Sequence, residues 1–327
     1  MTPQDIASAI AQQHPHMLAG EARPYANSWL ASDKALPPDM AGVVQGCRML
    51  GFLEHDAQCV MQAWQQQSLR LGGFDVSAWP VQPADFGIAP APRDHAFASC
   101  PHALGLYAVL PDAQWVGRMA RAGVPTVQLR FKSDDAAAIA REVHAAVAAV
   151  QGTEALLFIN DHWQAAIDAG AYGVHLGQED MADAPLQTIR AAGLRLGLST
   201  HGYAEMLHAE AVSPSYIALG AVFPTTLKRM ATAPQGMGRL QAYARLMQQH
   251  PLVAIGGIDA SRLPAVLQTG VGSVAMVRAI TDASDPEATA RGLMKIMQAA
   301  SKSVKNALYF WSYSSIAQSV ERRTVNP

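Results

Sequence analysis

From Leu104 onward, short apolar or β-branched runs alternate with longer, alanine-rich amphipathic stretches. The runs are Leu104–Leu110, Thr126–Phe131, Ala155–Asn160, Tyr172–Leu176, Leu194–Leu198, Tyr216–Leu219, Leu252–Ile255 and Ser273–Val277. Their nearly continuous hydrophobicity predicts strands buried on both faces. The intervening spacing predicts helices over Asp112–Ala122, Ser133–Val150, His162–Ala169, Pro185–Ala192, Ala204–Val212, Arg239–His250, Ser261–Gln268 and Pro286–Ala300. Strand-then-helix units of this number, in roughly 200 residues, predict an α/β fold, a (β/α)8 barrel of the TIM class. A doubly wound sheet could be written from fewer of the units. The eighth unit, and the lack of a glycine-rich nucleotide turn after the first strand, favour the barrel.

Residues 1–100 have another texture. Helices are expected over Asp5–Gln13 and Ala41–Leu69, the second carrying Val44, Leu50, Phe52, Leu53, Val60, Met61 and Trp64 at mixed spacing. Between Ser77 and Pro101 stand Pro80, Pro83, Pro90, Pro92 and Pro101, which remove backbone donors and predict an extended linker or a strap over a surface. The expected organisation is an extension of unknown role over 1–100, mainly helical or irregular, a barrel over 101–300 and a tail over 301–327. The tail places Tyr309-Phe310-Trp311 beside a serine-rich stretch without period or caps, and no function is expected of it.

Composition narrows the class. Half of the chain is hydrophobic and 15% is charged, enough for a substantial core. The formal net charge of −2 argues against a nucleic-acid partner. Cys47, Cys59 and Cys100 are scattered and odd in number, so neither a disulfide framework nor a zinc cluster is expected. No apolar run approaches the roughly 18 residues of a membrane span, and Met1–Asp5 lacks a signal-peptide layout. The expectation is a cytoplasmic protein without a membrane partner. Assembly into a homo-oligomer is left open.

In a (β/α)8 barrel the chemistry sits where the strands end. Strand two runs Gln128-Leu129-Arg130-Phe131-Lys132, and alternation puts Gln128, Arg130 and Lys132 on one face. Strand three ends in Asn160-Asp161 and strand four in His175-Leu176-Gly177-Gln178-Glu179-Asp180. Strand five ends in Ser199-Thr200-His201, strand six leads to Phe223-Pro224-Thr225-Thr226-Leu227-Lys228, and strand seven to Gly256-Gly257. Each has a plainer reading: Asp161 as a helix N-cap, Gly256-Gly257 as a tight turn, Glu179 as a solvated charge, His175 and His201 as structural histidines. Their coincidence at one rim outweighs these. Asp161 and Asp180 offer hard oxygen ligands suited to Mg2+ on a phosphorylated substrate. Arg130, Lys132 and Lys228 supply donors for a diphosphate, and Gly256-Gly257 a place for a phosphate monoester.

Six segments, Gln128–Lys132, Ile159–Asp161, Gly173–Asp180, Ser199–His201, Phe223–Lys228 and Ala254–Ile258, together resemble the thiamine-phosphate synthase family, over about residues 104–295. The resemblance implies a Mg2+-dependent transferase of thiamine biosynthesis. It would join 4-amino-2-methyl-5-hydroxymethylpyrimidine diphosphate to a thiazole phosphate or its carboxylate, giving thiamine phosphate and pyrophosphate. It implies that Gln128, Leu129, Arg130, Phe131, Lys132, Asn160, Ser199 and Lys228 hold the pyrimidine diphosphate, with Arg130, Lys132, Ser199 and Lys228 catalytic. Asp161 and Asp180 would hold Mg2+. Thr225, Thr226, Leu227, Gly257, Val277 and Arg278 would line the thiazole-phosphate side.

The chain departs from the family pattern at Leu227, where a threonine is usual, at Arg278, where a serine is usual, and at His162, where an arginine often stands. Two rivals follow. One is a sister barrel acting as a thiazole tautomerase, with His201 as general base; the other is a non-catalytic barrel that binds thiamin precursors as a regulator. The retained aspartates and cations disfavour the first, and nothing at the rim favours the second.

Overall fold

A computed structural model describes residues 1–28, 30–91, 93–225 and 232–300. Eight parallel strands close into a barrel in chain order: β1 (Gly105–Leu110), β2 (Thr126–Leu129), β3 (Leu156–Asn160), β4 (Gly173–Leu176), β5 (Arg195–Thr200), β6 (Tyr216–Leu219), β7 (Leu252–Ile255) and β8 (Ser273–Met276). Tyr107 of β1 pairs with Thr126 of β2 on one side and Ala275 of β8 on the other, which closes the ring. The expected (β/α)8 barrel is therefore present. Alternation along each strand divides the core. Tyr107, Val109, Phe158, Tyr216, Val253 and Ala275 fill the barrel, while Leu106, Val127, Leu129, Ile159 and Val174 pack beneath the helices. Aspartates start several of those helices: Asp112 accepts the Trp115 amide at 2.8 Å, and Asp285 the Ala288 amide at 2.9 Å.

The single helix expected over Ala41–Leu69 is two, Pro38–Met49 and Glu54–Leu71. Mixed spacing of the apolar residues was the sign of two faces. The break falls at Gly51, whose φ of 82° is open to glycine and where a Cβ would run into the Ala19 carbonyl. Helix Pro3–Gln13 lies so close to Pro38–Met49 that a Cβ on Gly42 or Gly46 would meet Ile6 or Ile10 below 3 Å.

One continuous apolar core joins this extension to the barrel's outer helices. Trp79 stacks on Phe52 and donates its indole N–H to the Tyr203 hydroxyl at 3.0 Å. Tyr203 meets Tyr243 edge to face. Arg239, 2% exposed, lies 3.6 Å over the Phe52 ring and donates to the carbonyls of Met17 and Leu50. The proline-rich segment follows the barrel wall, with the Phe97 amide on the Ser213 carbonyl and the Ser215 hydroxyl on the Ala98 carbonyl. Among the described residues no helix is long and apolar enough to cross a membrane. The tail, 301–327, lies outside the described residues.

Candidate active site

A cavity of about 1090 Å³ opens at the C-terminal ends of the strands. Gln128, Arg130, Phe131 and Lys132 line it from β2 and its loop, Asn160 and Asp161 from β3, and Asp180 from beyond β4. Ser199, Thr225, Gly257, Val277 and Arg278 complete the set from the other side. Leu129 is the exception: its side chain is fully buried in the layer between sheet and helices, off the cavity. Strand alternation turns it outward between Gln128 and Arg130, leaving only its backbone to serve the site. Thr226, Leu227 and Lys228 lie outside the described residues.

Asp161 leaves β3 with φ at 63°, a left-handed backbone uncommon for an aspartate. Its amide bonds to the His175 carbonyl at 3.0 Å, and the next two amides fold back onto Asn160 and Asp161 carbonyls. The helix that follows, Trp163–Asp168, has no side-chain N-cap, so the capping reading of Asp161 fails. The carboxylate instead meets Asp180. Burial raises the Asp161 pKa most, the Asp180 charge and hydrogen bond raise it further, and His162 and Arg130 pull it back. Asp180 stands in the first turn of a short helix, Gln178–Asp183, where a strand end was expected, and accepts the Gly177 amide at 3.1 Å. Two facing carboxylates with Arg130 nearby fit a hard divalent cation whose remaining ligands are water and substrate oxygens. Among the described residues no group of three or more His, Cys, Asp or Glu is placed to hold a metal ion, so protein ligands beyond the pair are not supplied by these types. His162 donates to the Phe131 carbonyl at 2.9 Å, tying the β2 and β3 loops together.

The cavity floor is a buried hydrogen-bonded chain. Gln128 Nε2 donates to the Tyr107 hydroxyl at 3.0 Å, Tyr107 and Tyr216 hydroxyls are 2.7 Å apart, and Tyr216 meets His175 Nδ1 at 2.7 Å. His175 Nε2 meets Ser199 Oγ at 2.8 Å. Burial is the largest influence on His175 and pushes its pKa down to about 4, against an upward pull from Asp180. Burial likewise raises both phenols, which stay protonated. The direction of the chain follows from counting protons. Tyr107 already accepts from Gln128, so donating to Tyr216 gives its own proton a buried acceptor. Tyr216 then donates to His175 Nδ1, and His175 Nε2–H to Ser199. The Ser199 proton is left to face the cavity.

On the far side, Gly256-Gly257 and the one-turn helix Arg278–Thr281 occupy the usual barrel position for a phosphate. A Cβ on Gly257, at φ 64°, would meet the Pro224 carbonyl at 2.6 Å. Arg262, which the sequence reading did not single out, lines the cavity, packs over Phe223 and donates to the Gly257 carbonyl. Tyr107 and Tyr216 were missed as well. A tyrosine in an apolar strand carries no mark beyond its hydroxyl. His201 also lines the cavity. Its Nδ1–H and its amide both donate to Glu205 Oε2, at 2.7 and 2.9 Å.

Residues 106–280 match the family model described as thiamine monophosphate synthase. A thiamine-phosphate synthase of Neisseria meningitidis serogroup B is 56% identical over 193 residues, 59% of this chain and 94% of the relative. One from Cronobacter sakazakii is 52% identical over 200 residues, covering 61% and 95%. Among solved structures, a thiamine phosphate pyrophosphorylase from Pyrococcus furiosus superposes with TM-score 0.55 at 28% identity, over 60% of this chain and 96% of its own. The rim residues, the closed barrel and these likenesses agree: the chain belongs to the thiamine monophosphate synthase family.

Proposed function

We propose that the cavity condenses 4-amino-2-methyl-5-hydroxymethylpyrimidine diphosphate with a thiazole phosphate, releasing pyrophosphate and forming thiamine phosphate. The observation that carries the reading is the facing pair Asp161 and Asp180 beside Arg130, in one cavity with Lys132. Asp161 and Asp180 would hold Mg2+, which when bound neutralises diphosphate charge. Arg130 and Lys132 add fixed donors, so charge developing on the leaving group meets groups already in place. The methylene C–O bond breaks with its electron pair going to pyrophosphate, and the aminopyrimidine delocalises the positive charge left on the carbon. The thiazole nitrogen lone pair then forms the C–N bond, held in line by the Gly257 and Arg278 side of the cavity. Ser199 presents its proton to an acceptor on the pyrimidine. No protein nucleophile is needed.

The test is pyrophosphate release by the purified chain with both substrates, each alone, and with EDTA. Release is expected to need both substrates and Mg2+, and to fall at least about 100-fold in Asp161→Asn. Mg2+ is expected to raise the melting temperature of the wild type and not of that variant. Thiazole phosphate binding without any release would overturn the synthase reading in favour of a tautomerase or regulator.

A further inference from the structure

One carboxylate of the extension caps a barrel helix that starts beside the cavity. Barrel helix Tyr203–Val212 begins directly after β5, and its N-cap is Gly202, which has no side chain to accept the orphan amides of the first turn. Asp56, 3% exposed and in the first turn of extension helix Glu54–Leu71, fills that role from 148 residues away: its Oδ1 accepts the Ala204 amide at 2.9 Å. The two sites exclude each other, because a Cβ on Gly202 would overlap both Asp56 oxygens. Gly202 is extended at φ −177°, so space, not backbone conformation, demands the glycine.

The turn that Asp56 secures also carries Glu205, whose Oε2 takes both the amide and the Nδ1–H of His201. That bond leaves His201 Nε2 without a protein partner among the described residues, in a residue that lines the cavity next to Ser199 and Thr200. Asp56, Ala204, Glu205 and His201 therefore form one mechanical line from the extension to the rim.

We propose that Asp56 is a positioning residue for the barrel's active site: by capping helix Tyr203–Val212 from outside the barrel, it holds Glu205 and through it the His201 imidazole at the cavity. Residues 1–100 are then a working part of the site. The proposal rests on reading the cavity as the synthase site.

The experiment compares wild type, Asp56→Ala, Gly202→Ser, the Asp56→Ala/Gly202→Ser double variant, and each Asp56 form in a His201→Ala background, all at a temperature where circular dichroism shows folded protein. Asp56→Ala is expected to lower kcat for pyrophosphate release about tenfold with KM changed less than about twofold. In the double variant the introduced serine hydroxyl caps the helix in place of the removed carboxylate, and activity is expected to return to within about twofold of wild type. In the His201→Ala background the loss from Asp56→Ala is expected to vanish, because the effect runs through that side chain. A folded Asp56→Ala protein with wild-type kcat, an unrescued double variant, or full additivity with His201→Ala would each overturn the proposal. In parallel, 15N NMR reads the His201 tautomer, expected as Nδ1–H in wild type and mixed in Asp56→Ala. An unchanged tautomer overturns the positioning claim even if the wild type releases no pyrophosphate, an outcome that would sink the synthase reading separately.

Discussion

His175 is neutral where most histidines titrate. Its imidazole is walled in by Tyr216 and Ser199 and keeps a pKa of about 4, against about 6.5 when unfolded. Between those values the unfolded chain binds a proton that the native protein refuses. Stability therefore rises with pH up to about 6.5 and is lost as pH falls toward 4, by about 3 kcal/mol from this group at full extent. Urea unfolding at a series of pH values should show that slope, and His175→Gln should flatten it. An equal slope in the variant would place the proton elsewhere. His14, whose pKa burial also lowers, contributes in the same direction in both proteins. The buried chain makes the same residue an orienting device: a neutral His175 with Nε2–H gives Ser199 one fixed polarity, that of a donor toward the cavity.

At the level of elements, the strands were legible because burial on both faces writes itself as continuous apolar runs. β6 and β7 fall on the expected residues, Tyr216–Leu219 and Leu252–Ile255. β5 extends past its apolar run through Ser199 and Thr200, since backbone pairing with Ala218 and Leu219 continues regardless of side-chain polarity. The facing of Asp161 and Asp180 was legible only as a coincidence of strand ends. The left-handed turn at Asp161 and the short helix that carries Asp180 leave no periodicity to read. The tyrosine–histidine chain was illegible for a related reason, because contacts between β1, β4 and β6 are set by barrel closure. In the extension, the break at Gly51 showed in the sequence only as mixed spacing of the apolar residues. Gly51→Ala must force φ 82° on a Cβ and push it onto the Ala19 carbonyl. A loss of roughly 2 kcal/mol or more is expected from thermal unfolding. A change below about 0.5 kcal/mol would mean that the turn relaxes freely.

The molecule as a whole is larger than its shared part. The Neisseria and Cronobacter relatives are matched over 94% and 95% of their own length by about three-fifths of this chain. Here the barrel's outer wall is not finished for water. Tyr203, Tyr243 and Leu240 are at most 2% exposed with Phe52, Trp79 and Phe86 of the extension packed on or beside them. Removing residues 1–100 would uncover these rings and leave Arg239 without its Met17 and Leu50 carbonyls. The isolated 101–300 segment is expected to melt roughly 10 °C or more below the full chain and to aggregate. Equal melting temperatures would show that the two parts merely touch.

The contact between Asp56 and Ala204 also sets a schedule for the newborn chain. The ribosome makes the aspartate 148 residues before the amide it will cap. At roughly 5–20 residues per second, that is a wait of about 7–30 s. Phe52 spends that interval, and Trp79 and Phe86 most of it, with no barrel wall to lie against. The extension is written first, yet its partners Arg239 and Tyr243 on helix Gly236–Leu246 are made only after β6, so these rings wait uncovered through most of the barrel's synthesis.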